Sequence, residues 1–330
     1  MRVGLTMPNR GVLFGATTVD LMLDMSERAD ASGKFDSLWV GDSLLGKPRL
    51  ESIALLAAMA GRTRNLRLGT ACMASFPLRD PVLLAYQWAS LDMISNGRSV
   101  LIACTGLVEQ EGATVEGALY GLSKGQRITR MLEWIEILRL LWTTDKASFT
   151  GKEYSFENIS IDPKPVAKPC PPIWIANNAQ GDRELIERTH RRAAVHGDGW
   201  QTSIWEPKDL EWRVGDMYRK VEEAGKDPKK FDFSVYHNVN INEDEEAAIA
   251  ESKRFLDMYY VPTEFSRQDI QDWVALGSPD QCVAHIQRLA DMGVTELTLR
   301  ITSWDQAGQY KRLVEEVLPR LQRVRSASPR

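Results

Sequence analysis

Two short apolar runs in this chain end in residues suited to chemistry. LRLGTACM (Leu66–Met73) stops at Cys72 and Met73, and the run Ser99–Cys104 leads into Thr105, Gly106 and Leu107. Both end in small or sulfur-bearing residues and not in charge. In a parallel α/β protein the C-terminal ends of strands carry the site, so the site is expected here. Three other strand ends add polar groups: Asp42-Ser43, Asn177-Asn178 with Gly181 shortly beyond the strand, and Arg300. Arg300 is a partner for a substrate carboxylate or a cofactor phosphate, or else one half of a surface ion pair. Glu109 and Glu111 follow the strand of Cys104, as substrate contacts or as solvated loop charge.

Other chemistries lack their residues. Cys72, Cys104, Cys170 and Cys282 show no CxxC spacing and read as reduced thiols. There is no G-x-G-x-x-G, no P-loop and no H-E-x-x-H. A cofactor-free lyase or hydrolase would need paired carboxylates or a buried lysine at strand ends, and only Asp42 comes close. With 41 basic against 45 acidic residues, nothing suggests nucleic acid or an anionic membrane as partner, so the partner is a small-molecule substrate. No apolar run approaches the ~18 residues of a membrane span, and Met1-Arg2-Val3 enters a strand directly. A cytoplasmic location is the expectation.

The elements that must position these residues alternate. Strand-like runs recur at Val3–Met7, Ser37–Gly41, Leu66–Cys72, Ser99–Cys104, Ile173–Ala176, Gly199–Ser203, Phe233–Ile241 and Glu296–Arg300. Most are continuous apolar runs, as in strands buried on both faces. Amphipathic helices lie between them, Arg127–Trp142 being the clearest. Eight strands alternating with eight helices predict a single (β/α)8 TIM barrel over residues 1–330. Three long connections, 108–126, 143–172 (with a hairpin over Ala147–Tyr154) and 259–276, are expected as insertions at the C-terminal rim.

In these blocks the chain resembles the luciferase-like monooxygenase superfamily. The blocks are FDSLWVGDSL, LRLGTACM, DPVLLAYQWASLDMISNGR, PPIWIANNA, HGDGW and GSPDQCVAHIQRLADMGVTEL, in family order. The resemblance implies a barrel holding reduced FMN or a deazaflavin, coenzyme F420, at its C-terminal mouth, usually in a homodimer or higher homo-oligomer. Cys72-Met73 would underlie the ring, at a peptide that is cis in several members. Cys104 stands where bacterial luciferase also has a cysteine, and packing near the ring is favoured over nucleophilic chemistry. Thr105, Gly106, Leu107, Asn177, Asn178 and Gly181 would hold a phosphate, with Thr105 replacing an arginine of luciferase. Trp200 walls the flavin pocket or fills the core.

The largest departure is at Asp42-Ser43, where many members place a histidine after the acid. Serine cannot move protons unaided near neutral pH. Ser43 is then a hydrogen-bond donor oriented by Asp42, or Asp42 is a structural cap. His196 beside HGDGW is not expected to be catalytic. The function implied first is an FMN-dependent monooxygenase that uses reduced FMN and molecular oxygen to oxygenate a small organic substrate. A separate NAD(P)H:flavin reductase would supply the reduced flavin. The alternatives are a deazaflavin-dependent oxidoreductase transferring hydride without oxygen, and a non-catalytic flavin-binding protein.

Overall fold

A computed structural model describes residues 1–106 and 111–321, with backbone alone for 111–114. Leu107 and Glu109 lie outside the described residues, as does the side chain of Glu111. Eight parallel strands close into a barrel: β1 (Arg2–Met7), β2 (Ser37–Asp42), β3 (Arg67–Met73), β4 (Ser99–Ala103), β7 (Ile173–Ala176), β8 (Gly199–Thr202), β9 (Asp232–Ile241) and β11 (Glu296–Ile301). β11 pairs with β1 and β8 with β9, which completes the ring. β5 (Ala147–Thr150) and β6 (Ser155–Ile159) form a separate hairpin. β10 (Val274–Gly277), absent from the sequence-based expectation, pairs only with the C-terminal half of β9.

Helices α1 (Val19–Ser32), α2 (Ser52–Arg62), α3 (Pro81–Ser95), α5 (Lys124–Thr143), α6 (Arg183–His196), α7 (Pro207–Glu223), α8 (Glu245–Tyr259) and α10 (Pro279–Asp291) alternate with the strands. α4 (Glu111–Tyr120), α9 (Arg267–Trp273) and α11 (Gln306–Arg312) are additional. Their starts are set locally: Ser123 and Ser278 make reciprocal capping boxes with Gln126 and Gln281, and Asp80 accepts from Leu83 N.

The barrel is filled in layers. At its N-terminal end buried Glu296 accepts from Arg2 Nε at 2.8 Å and Ser37 Oγ at 2.6 Å and pairs with Arg67. Above it Trp39 and Trp174 lie 5.4 Å apart, centroid to centroid. Glycines make the room: a Cβ at Gly69 would collide with the Trp39 ring, and one at Gly199 would stand 2.6 Å from Trp174. The plug makes the barrel a packed core that ends in a floor below the C-terminal mouth.

The first and third long connections lie at that mouth, the first containing α4 and the third α9 and β10. The second does not. It joins the end of α5 to the start of β7, so it leaves from the opposite end. Its hairpin runs back along α5, where Arg130 pairs with Glu153, until Tyr154 donates to Asp80 at 2.6 Å. Asp80 is the N-cap of α3, so the hairpin tip meets the start of that helix.

Candidate active site

The floor is shaped by a bulge in β3. Its pairing with β4 runs Leu68↔Ser99 and Gly69↔Val100, then Met73↔Ala103, so β3 carries one extra residue. Ala71 and Cys72 therefore both pack on the interior side with Val100, Ile102 and Trp174, whereas Met73 returns to the fully buried core facing the helices. The Ala71–Cys72 peptide is cis, one residue before the expected position.

Above this floor opens a cleft of about 100 Å³, lined by Ala71, Cys72 and Ala176 below and by Asn178, Gln201, Ser203, Tyr236 and Tyr260 around. Cys72 Sγ lies 2.7 Å from Cys104 Sγ. The hydrogen bond to Cys72, with burial, pushes the Cys104 thiol well above its usual range, so it stays protonated and packs. On the wall, Asn178 Oδ1 accepts from Thr202 Oγ1 at 2.9 Å and Ser203 N at 2.8 Å. Gln201 Nε2 donates to Ser234 Oγ at 3.3 Å. On the opposite side Arg300 donates to Asn238 Oδ1 at 2.9 and 3.1 Å and to the Tyr260 hydroxyl at 3.2 Å. Its guanidinium carbon lies 4.1 Å from the centre of the Tyr259 ring. Lys47 Nζ stands 4.6 Å from the centre of the Tyr260 ring. Burial, with Arg49, Arg10 and Arg300 close by, pushes the Lys47 ammonium down to about 8.

The luciferase-like monooxygenase family profile matches residues 1–296 of the chain. This chain belongs to that family. It is 26% identical over 326 residues to an F420-dependent glucose-6-phosphate dehydrogenase of Amycolatopsis mediterranei, covering 91% of this chain and 94% of that protein. A relative of the same description from Nocardia farcinica is 26% identical over 293 residues, covering 82% and 83%. Among solved structures, a monooxygenase from Streptomyces bottropensis superposes with a TM-score of 0.80 at 20% identity, covering 97% and 99%. An F420-dependent secondary alcohol dehydrogenase gives 0.77 at 18% identity, covering 96% and 98%. The fold is thus the TIM barrel of luciferase-like enzymes, and the protein is an oxidoreductase.

Within this family member the expected site residues separate. Cys72 and Asn178 meet at the cleft, with Cys104 against Cys72 and Arg300 buried behind Tyr260. Met73 does not, because the bulge turns it away. Nor does Trp200: it is fully buried on the helix side, its ring against His190, and the inward neighbour is Gln201. Asp42 does not orient Ser43. Its carboxylate accepts from Ser52 Oγ at 2.7 Å, Ser75 N at 2.8 Å and Arg79 at 3.2 Å, clamping the ends of β2 and β3 to α2. Ser43 Oγ instead accepts from Lys47 N at 2.9 Å and closes a turn.

Thr105 offers its carbonyl to Arg127 at 3.4 Å, and Gly106 sits at φ +72° against the Ala74 carbonyl. The first turn after Gly181 is capped by Asp182, which accepts from Leu185 N, so an anion there would meet a carboxylate. None of the four histidines lines the cleft. His190 pairs with Asp216, His237 with His285, and His196 ends α6.

A flavin or deazaflavin ring fits these residues. It is flat and needs small side chains beneath it and amides or hydroxyls at its carbonyl and N–H edge. The floor of Ala71, Cys72 and Ala176 and the wall of Asn178, Gln201 and Ser203 supply both. Buried Asn177 Nδ2, without a partner, is a further donor beside that wall.

Proposed function

We propose that this protein is a deazaflavin-dependent oxidoreductase, moving hydride between coenzyme F420 and a small organic substrate without oxygen. The observation that supports it most is the end-to-end match to F420-dependent dehydrogenases, over nine-tenths of both chains. This reverses the order of the two sequence-based readings. FMN with oxygen becomes the second, favoured by the dry floor of Ala71, Cys72 and Ala176, which would keep water from the ring.

When bound, the deazaflavin supplies the hydride-accepting carbon, and the protein supplies position and surroundings. Ala71, Cys72 and Ala176 would support the ring from below, with Tyr236 and Tyr260 lining the cleft across from them. Asn178, Gln201 and Ser203 would hold its polar edge. The Tyr236 and Tyr260 hydroxyls would orient a substrate hydroxyl above the floor.

The test is a pair of anaerobic titrations with reduced F420 and reduced FMN, each followed by oxygen. Oxidised F420 with sugar phosphates and secondary alcohols is then assayed for bleaching of the deazaflavin. Selective F420 binding with substrate-dependent bleaching is expected. Selective FMN binding with oxygen uptake would overturn the reading in favour of the monooxygenase.

A further inference from the structure

Four cations crowd one arc of the mouth. They come from the loops after β1 and β2 and from β11: Arg10, Lys47, Arg49 and Arg300. Arg10 donates to the Pro48 carbonyl at 2.9 Å, and Arg49 donates to the Lys47 carbonyl at 3.0 Å and the Tyr259 hydroxyl at 3.4 Å. The Arg49 guanidinium lies across Gly41, in space that a Cβ there would take. Tyr259 and Tyr260 carry the cluster on their faces, with Arg49 5.5 Å from the first ring centre and Arg300 5.0 Å from the second. Lys47 and Arg300 are buried.

No carboxylate of the described residues pairs with any of the four. Among the described residues, the nearby acids of the same rim are engaged elsewhere: Asp42 and Glu51 by Arg79, Glu116 by the Leu45 and Gly46 amides at 2.6 and 2.8 Å, and Glu251 by Ser303, Trp304 N and Asn240. A buried cation without a counter-charge is costly, and ring faces offset only part of that cost. Three of the five N–H groups of Arg300 are used, and the Lys47 ammonium has no acceptor among the described residues. The missing charge is therefore one that a ligand brings.

We infer that the substrate carries a carboxylate or phosphate group, held between Lys47 and Arg49 with Arg300 behind them, at the Tyr260 end of the cleft. This rests on the reading of the mouth as a substrate site. It does not depend on which cofactor fills the floor.

The experiment measures binding without turnover. The full chain, with and without cofactor, is titrated calorimetrically at low ionic strength with inorganic phosphate and with malonate. The wild type is compared with Lys47→Met, Arg49→Met and Lys47→Arg. Both residues sit on the loop after β2, unlike Arg300 on a barrel strand. The expected result is binding that survives cofactor loading, weakened about tenfold by either methionine and restored by Lys47→Arg. Tighter phosphate assigns a phosphate ester and tighter malonate a carboxylate, and either supports the site. Equal dissociation constants in wild type and both methionine variants, or no binding of either anion, would overturn it. So would anion binding that vanishes on cofactor loading, since the cluster would then serve the cofactor's own anionic tail. An FMN preference in the cofactor titrations would leave this result standing.

Discussion

Lowering the pH from 7.5 to 5 should weaken the barrel through one imidazole pair. His237 on β9 and His285 on α10 meet Nε2 to Nε2 at 2.8 Å, and Arg288 donates to His285 Nδ1 at 3.3 Å. A guanidinium only donates, so His285 carries its proton on Nε2 and gives it to His237 Nε2. The remaining proton of His237 is on Nδ1, buried without a partner. A second proton on His285 would face Arg288, and one on His237 would face the N–H of His285. Burial and Arg288 hold His285 at about 4 against an ordinary 6.5, and burial with both neighbours pushes His237 well below 6.5. The unfolded chain thus binds protons from pH 6.5 downward while the folded chain does not. The stability is complete above 6.5 and is lost as the pH falls toward 4. For His285 the linkage amounts to about 2 kcal/mol between pH 7.5 and 5, out of a total of about 5–15 kcal/mol. Because its ring keeps some solvent contact, this is an upper value for His285. Urea unfolding followed by tryptophan fluorescence at the two pH values measures it. His285→Gln keeps a donor for His237 and an acceptor for Arg288 but does not titrate, so its loss should be smaller by most of that amount. His196, whose proton affinity is also lowered by burial, affects both chains equally. Glu296, held below 4.5 by Arg67 and Arg2, acts only at lower pH. Parallel losses in wild type and His285→Gln would refute the pair as the cause.

Glu296→Gln should cost about 3–5 kcal/mol in urea unfolding, because Arg2 and Arg67 lose the buried carboxylate between them. A change under about 1 kcal/mol would mean that Asp232 alone satisfies both arginines. Asp42→Asn should lower stability by about 1–3 kcal/mol with cofactor affinity unchanged, since the carboxylate clamps loops and does not touch the cleft. Loss of cofactor binding at unchanged stability would return Asp42 to the site. Ala176→Leu, which adds an isopropyl group to the floor, should weaken cofactor binding at least about tenfold with an unchanged melting temperature. Unaltered affinity would move the ring away from this floor.

How far the structure was legible depends on what each stretch of sequence encodes. Most of the eight barrel strands showed as apolar runs, because burial on both faces leaves few polar residues to break them. The same property hides which way a side chain points. In GWQT nothing marks Trp200 as facing the helices and Gln201 as facing the cleft, and in TACM nothing marks the extra residue that turns Met73 away. β9 and β11 are different, for Ser234, Tyr236, Asn238 and Asn240, and likewise Glu296, Thr298 and Arg300, stand at every second position and are all buried. That alternation places polar groups inside the barrel, although it went unread among the apolar runs. β10 was not legible, being four residues that pair with one end of one strand. Nor was α4, whose Gly112 and Gly117 argue locally for a loop that tertiary packing overrides. The cation cluster lies beyond any local pattern. Arg10, Lys47 and Arg49 stand in two loops with no periodicity, and Arg300 is some 250 residues later in the chain. They meet because β11 closes onto β1, pairing Leu5 with Leu299, so that the last strand end and the first two share one arc of the rim. Charges separated along the chain acquire a common ligand only through that closure.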